Sequence, residues 1–273
     1  MDWLSGIEQL RRRHESGVLV TVAAVRGHAP REAGAKMLVS QHETWGTVGG
    51  GNLEAVAIER ARGALPAPEL ITLSLNDKVP TQHGVQCCGG EVTLLLEPLN
   101  VAPAVAIFGI GHVGMELARI MARHDLDLHL VDTRAGQLSP ERLAPLHDAR
   151  ARVRVHAVPI APEQVLAELP QGTHVLVMTH DHAEDLAICD QALRTARVGS
   201  IGLIGSTAKR GNFRRRLEDA GHPDPLSRIR CPVGIPTVTG KNPATVAVSV
   251  AAELLVLMQA ELRTPEPLAA PRP

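Results

Sequence analysis

The sequence predicts an α/β protein in two parts, an N-terminal mixed α+β domain followed by a doubly wound parallel sheet. Three observations carry that expectation. From Val105 onward, continuous apolar runs alternate with helical stretches, the pattern of a parallel sheet covered on both faces. Before that point, β-branched runs are separated by polar loops holding Gly and Pro, with helical patterns among them. Between the halves, EPLNVAPA (97–104) combines two prolines with a break in periodicity and reads as a linker. A chain of 273 residues has room for two domains of ~100–200 residues each.

Taken in order, residues 2–16 place Trp3, Leu4, Ile7 and Leu10 on one helical stripe. VLVTVAAV (18–25) reads as a buried strand, and residues 36–40 as another after the loop RGHAPREAGA. TWGTVGGGNLEAVAIERARGAL (44–65) is a strand that ends in three glycines and leads into a helix. Residues 69–75 and 91–97 add two strands. In the second half, AVAIFGIG (104–111) is strand then turn, and HVGMELARIMARH (112–124) a helix. LHLVD (128–132), residues 153–158, HVLVMTH (174–180) and GSIGLIGS (199–206) read as strands. AEDLAICDQALRTA (183–196) and AKRGNFRRRLEDAG (208–221) read as helices. PATVAVSVAAELLVLMQAEL (243–262) is a strongly apolar helix that must pack against something, and TPEPLAAPRP (264–273) is expected to be disordered. The expected boundaries are a domain over 1–100, a domain over 104–230, a C-terminal segment over 231–263 and a tail over 264–273.

Composition excludes several functions. With no Tyr, two Phe and two Trp, stacking of bases is largely unavailable, which argues against single-stranded nucleic-acid binding. A net charge of −1 gives no global pull on DNA or on an anionic membrane. No uninterrupted apolar run reaches the ~18–20 residues of a membrane span, and the charged start MDWLSGIEQLRRRHESG does not read as a signal peptide. Four cysteines in so long a chain make no disulfide framework, so a reducing cytoplasm is expected.

Four places could carry chemistry. Gly109-Ile110-Gly111-His112-Val113-Gly114 follows a strand and opens a helix, as a dinucleotide-binding Rossmann turn requires. The first glycine allows the turn, the second lets backbone approach a phosphate, and the third lets helix pack on strand. Asp132 ends the next strand, about where a ribose-binding acid falls. A Rossmann domain that binds no dinucleotide fits the same residues. Gly49-Gly50-Gly51 also opens a helix and exposes consecutive amides that suit a phosphate; a strained turn is the plainer reading, with Glu54 a partner of the helix dipole. Thr179-His180-Asp181-His182 lies at a strand's carboxyl end, Asp185 follows on the helix, and Gly205-Ser206 stands at the end of the next strand. Two His and two Asp could bind a metal, but capping or phosphate contact suits a strand-to-helix turn as well. Finally, Gln86-Cys87-Cys88-Gly89-Gly90 sets two cysteines side by side in a Gly-flanked turn. The spacing disfavours zinc. An accessible thiolate would suit a soft metal such as molybdenum or copper, or a transferable sulfur. No Ser–His–Asp arrangement, nucleophile elbow or paired carboxylates argues for a hydrolase.

Eight blocks in order resemble the XdhC family, the accessory proteins of xanthine dehydrogenase and related molybdenum hydroxylases. They are REAGAKMLV (31–39), GTVGGGNLE (46–54), QCCGG (86–90), IFGIGHVG (107–114), VDTR (131–134), THDH (179–182), GLIGSTAKR (202–210) and CPVGIPTVTGKNPATVAVSVAAEL (231–254). The resemblance implies a XdhC/CoxI-type N-terminal domain joined to a Rossmann domain. It implies a cytoplasmic chaperone, without turnover of its own, that binds molybdenum cofactor (molybdopterin) transiently. Such a protein supports the cofactor's sulfuration by a cysteine desulfurase partner and its insertion into apo xanthine dehydrogenase or a related molybdenum hydroxylase. The cofactor-binding residues implied are Gly49, Gly50, Gly51 and Glu54; Gln86, Cys87, Cys88 and Gly89; Gly109, Gly111, His112, Gly114 and Asp132; and His180, Asp181, His182, Gly205 and Ser206. Cys87 and Cys88 would face the metal. No nucleic acid or membrane partner is expected, and the apolar C-terminal helix points to a homodimer. The competing readings are an NAD(P)-dependent oxidoreductase on the Rossmann half, with NAD(P) not favoured, a nucleotide-sensing module, and a metal-dependent hydrolase on His180, Asp181 and His182.

Overall fold

The computed structural model describes residues 2–63, 65–75, 89–195 and 197–263. Two compact units emerge, the first holding the residues up to Val101 and the second Ala102–Gln259.

In the first unit the elements run α1 (Trp3–Arg13), β1 (Gly17–Arg26), β2 (Lys36–Val39), β3 (Thr44–Gly46), α2 (Gly51–Arg62), β4 (Glu69–Ser74) and β5 (Glu91–Leu99). The strands form one antiparallel sheet in the order β3-β2-β1-β5-β4. α1 begins where the Asp2 carboxylate accepts the Ser5 amide, and ends at His14 in the left-handed conformation. Alternation turns Val18, Val20 and Val22 of β1 and Val92, Leu94 and Leu96 of β5 to one face. α2 lays Leu53, Ala57 and Ala61, each a helical turn apart, on that face. On the other face α1 brings Leu10 against Leu38 and Trp45.

The second unit runs β6 (Ala104–Phe108), α3 (His112–Met121), β7 (Asp127–Asp132), the single turn α4 (Pro140–Leu143), β8 (Arg152–Ala157), β9 (Thr173–Val177), α5 (His182–Arg194), β10 (Val198–Leu203), α6 (Thr207–Asp219), β11 (Ile229–Arg230) and α7 (Pro243–Arg263). Its sheet is parallel, in the order β11-β10-β9-β6-β7-β8. This is the doubly wound order of a Rossmann fold, with the topological switch between β6 and β9. β6, β7 and β9 are buried at every residue, which explains the apolar run of β6 and the mostly apolar β7 and β9. α3 and α7 cover one face through Leu117, Ala118 and Met121 and through Ala247, Val250, Ala251, Leu254 and Met258. α5 and α6 cover the other through Ile188, Cys189, Ala192, Phe213 and Leu217.

Two strands stop earlier than the apolar pattern suggests. β9 ends at Val177 rather than His180, because the Thr179 amide leaves the ladder and donates to the Asp185 carboxylate at 3.0 Å. β10 ends at Leu203; Ile204 still donates to Val177 O, and Ser206 then caps α6. α7 is the strongly apolar helix expected, over Pro243–Arg263. Its stretch Pro243–Ala260 is long and apolar enough to cross a membrane by length and composition, with mean hydropathy 1.6. Ser249 and Glu253 interrupt it: Ser249 donates to Ile235 O at 3.2 Å, and Glu253 accepts the Gly234 amide and pairs with Arg230 at 2.6 Å. With five of its residues in the core, α7 packs as a helix of the second unit.

Candidate functional site

The carboxyl edge of the parallel sheet collects most of the residues singled out in the second unit. Gly109 sits at φ +100, and a Cβ there would lie 2.4 Å from Met178 O, so only glycine lets the β6 turn pass the end of β9. A Cβ on Gly114 would lie 2.1 Å from Gly109 O, which is why α3 can start so close to the strand. Gly111 faces open space and is the N-cap of α3 without any side-chain cap. The loop therefore has the three glycine roles of a dinucleotide turn.

Asp132 does not serve as a free ribose acceptor. Its Oδ2 takes the Ile110 amide at 2.7 Å and Arg134 Nη2 at 3.0 Å; its Oδ1 takes the Arg134 amide at 2.9 Å and Nε at 3.0 Å. Burial pushes its carboxyl pKa up, but the Arg134 side chain and the two amides outweigh that and hold it low. The side chain is 2% exposed. Asp132 thus locks the glycine loop to β7, and Arg134 occupies the space beside it.

At the ends of β9 and β10 a cavity of about 720 Å³ is lined by Thr179, His180, His182, Ile204, Gly205, Ser206, Lys209, Asn212 and Phe213. His180, His182, Gly205 and Ser206, 23 or more residues apart across the two turns, meet there. Asp181 does not line it. Its carboxylate accepts the Ala183 amide at 2.6 Å and the Glu184 amide at 3.3 Å, capping α5, and these bonds hold its pKa low. Lys209 was not anticipated. It stands one turn into α6 and donates from Nζ to Asp185 Oδ2 at 2.5 Å and to Ile204 O at 3.0 Å. Asp185 is fully buried and also takes the Thr179 hydroxyl at 2.7 Å. The signal that could have found Lys209 is its position three residues after a Ser N-cap at a strand end, inside GSTAKR.

A second cavity, about 390 Å³, lies at the N-termini of α3 and α7, lined by His112, Met115, Glu116, Arg142, Asn242, Pro243 and Ala244. His112 thus faces a different pocket from His180 and His182. Among the described residues no group of three or more His, Cys, Asp or Glu is placed to hold a metal ion. Cys189 and Cys231 are buried in the core, and burial pushes both thiols up, away from thiolate chemistry.

In the first unit the triple glycine turn is already filled. Glu54 Oε1 accepts the amides of Val48 at 3.1 Å, Gly49 at 3.3 Å and Gly50 at 2.9 Å, together with the Thr47 hydroxyl. The amides expected to face a phosphate face this carboxylate instead. Gly51 is the first residue of α2. Gln86, Cys87 and Cys88 lie outside the described residues, as does the tail 264–273. Gly89 stands just before β5, its amide donating to Leu75 O at 3.0 Å.

The chain belongs to the XdhC family. The model described as the XdhC Rossmann domain matches residues 105–254, and that of the XdhC and CoxI family matches residues 10–74. Two Escherichia coli proteins are similar to it. The uncharacterized protein YqeB is 27% identical over 237 residues, 84% of this chain and 41% of YqeB. The molybdenum cofactor insertion chaperone PaoD is 26% identical over 275 aligned positions, 88% of this chain and 83% of PaoD. The chain therefore spans less than half the length of the first relative and most of the second. Among solved structures, a xanthine dehydrogenase from Bacillus halodurans matches with a TM-score of 0.49 and 18% identity, over 95% of this chain and 96% of that one.

Proposed function

We propose that this protein is a chaperone of molybdenum cofactor that holds the cofactor transiently, supports its sulfuration and hands it to a xanthine dehydrogenase or related molybdenum hydroxylase. The observation that carries this is the likeness to PaoD along 83% of that chaperone. The Rossmann unit supports it by offering, at its carboxyl edge, a roomy cavity lined by His180, His182, Ser206 and Lys209. A cysteine desulfurase is the sulfur-supplying partner in this reading, the cytoplasm is the setting, and the working form is a homodimer. Cys87 and Cys88 remain the soft-ligand candidates.

An NAD(P)-dependent oxidoreductase is disfavoured because Asp132 commits both carboxylate oxygens to Ile110 and Arg134, leaving no acceptor for a ribose diol. Co-expression of an apo molybdenum hydroxylase with and without this chain tests the proposal. The chain should raise the hydroxylase's sulfido-molybdenum content and activity. Equal content and activity in both preparations would overturn it.

A further inference from the structure

We infer that the α5–α6 cavity is a phosphate subsite whose fixed positive charge is Lys209. Of the nine residues lining it, none is Asp or Glu. Its polar groups are the Lys209 ammonium, the His180 and His182 imidazoles, the Thr179 and Ser206 hydroxyls and the Asn212 amide. Asp185, the carboxylate that holds the ammonium, stays behind the wall at 0% exposure and spends itself on Thr179 and Lys209.

An ammonium has three N–H donors. Two of Lys209's go to Asp185 and Ile204 O, which leaves one for the cavity. The side chain is only 11% exposed, so its position is held by the strut and by the Phe213 ring 5.1 Å from Nζ. A donor fixed in this way needs no reordering when an anion arrives. The Asp185–Lys209 pair taken alone could be a plain structural strut; a wall that presents donors and no carboxylate is what a strut does not require. At about 720 Å³ the cavity is large enough for a phosphate carried on a heterocyclic ligand. The other two anion-ready turns differ. The Gly49–Gly50 amides are taken by Glu54, and the Ile110 amide by Asp132.

Only the identification of the ligand as the cofactor, through its phosphate, rests on the chaperone reading. The test titrates inorganic phosphate into the purified full chain and follows the imidazole signals of His180 and His182. Both should shift saturably. Asn212→Asp places a carboxylate on the wall at an exposed position and leaves the strut intact; it should raise the phosphate Kd about tenfold. The double variant Asp185→Asn/Lys209→Met removes the cation without leaving a buried lone carboxylate, and should weaken binding similarly. Absent shifts, or an unchanged Kd in both variants, overturn the subsite. Molybdopterin content measured on the same preparations separates the two claims. Phosphate binding without any co-purified pterin sinks the chaperone reading and leaves the subsite standing. Pterin that co-purifies equally with wild type and Asn212→Asp, with no phosphate shift, does the reverse. Phosphate shifts with pterin content unaffected by Asn212→Asp overturn the cofactor as the ligand.

Discussion

Replacing Glu54 by Ala should loosen the triple glycine turn by an amount set by its bonds. One carboxylate oxygen holds three amides and a hydroxyl. A bond to a charged group contributes about 1.5–3 kcal/mol when water is excluded, so four would sum to about 6–12. Glu54 is only half-buried, and water can replace it at the Gly49 and Gly50 amides. The expected loss is therefore about 2–4 kcal/mol. Both tryptophans, Trp3 and Trp45, belong to the first unit, so urea unfolding followed by fluorescence reports on that unit within the whole chain. The same experiment has a pH signature. Burial raises the Glu54 pKa, but bonds from Thr47, Gly50, Gly49 and Val48 outweigh it and hold the carboxyl below its ordinary 4.5. A carboxyl depressed by folding stabilises fully above its unfolded pKa and loses that contribution as pH falls through the folded one. The gap between wild type and Glu54→Ala should thus be full at pH ~7 and shrink below about pH 4.5. A variant within about 0.5 kcal/mol of wild type at neutral pH, or a gap constant down to pH ~3, refutes the reasoning.

Other outcomes follow from single contacts. Gly114→Ala should destabilise the second unit by more than about 3 kcal/mol in thermal unfolding, since its Cβ meets Gly109 O at 2.1 Å. Gly111→Ala, facing open space at φ −72, should stay within about 0.5 kcal/mol of wild type. His156 stacks on His129 with Nε2 3.0 Å from its Nδ1, and burial lowers its pKa. Folding therefore disfavours its protonation, and stability should fall as pH drops below 6.5; His156→Asn should flatten that slope in denaturant titrations. Val250→Asp on α7 should cost about 3–5 kcal/mol or prevent folding, whereas Val248→Asp, 54% exposed, should be nearly neutral and leave the protein in the soluble fraction.

Much of the architecture was legible because burial writes itself into residue order. β6 is apolar throughout since both faces of a central parallel strand are covered, and Val18, Val20 and Val22 of β1 turn to the face that α2 covers. The glycine loop was legible for a related reason, since no other residue fits at Gly109 or Gly114. What escaped was pairing across distance. Nothing in the residue order pairs Lys209 with what holds it, Asp185, 24 residues earlier. The two-residue β11 has no pattern of its own and exists only because β10 offers an edge.

The order of residues by itself determined the two-part α/β organisation, the doubly wound sheet and the family, since these follow from periodicity, glycine spacing and blocks readable along one dimension. Only the tertiary structure decided which acceptors were already spent. In the sequence Asp132 reads as a candidate ribose acceptor and Glu54 as a partner of the helix dipole; in the fold each is saturated by backbone amides and neighbouring donors. The physical reason is that a hydrogen-bonding group's availability depends on what folding brings within about 3 Å of it, and residue order alone does not record that.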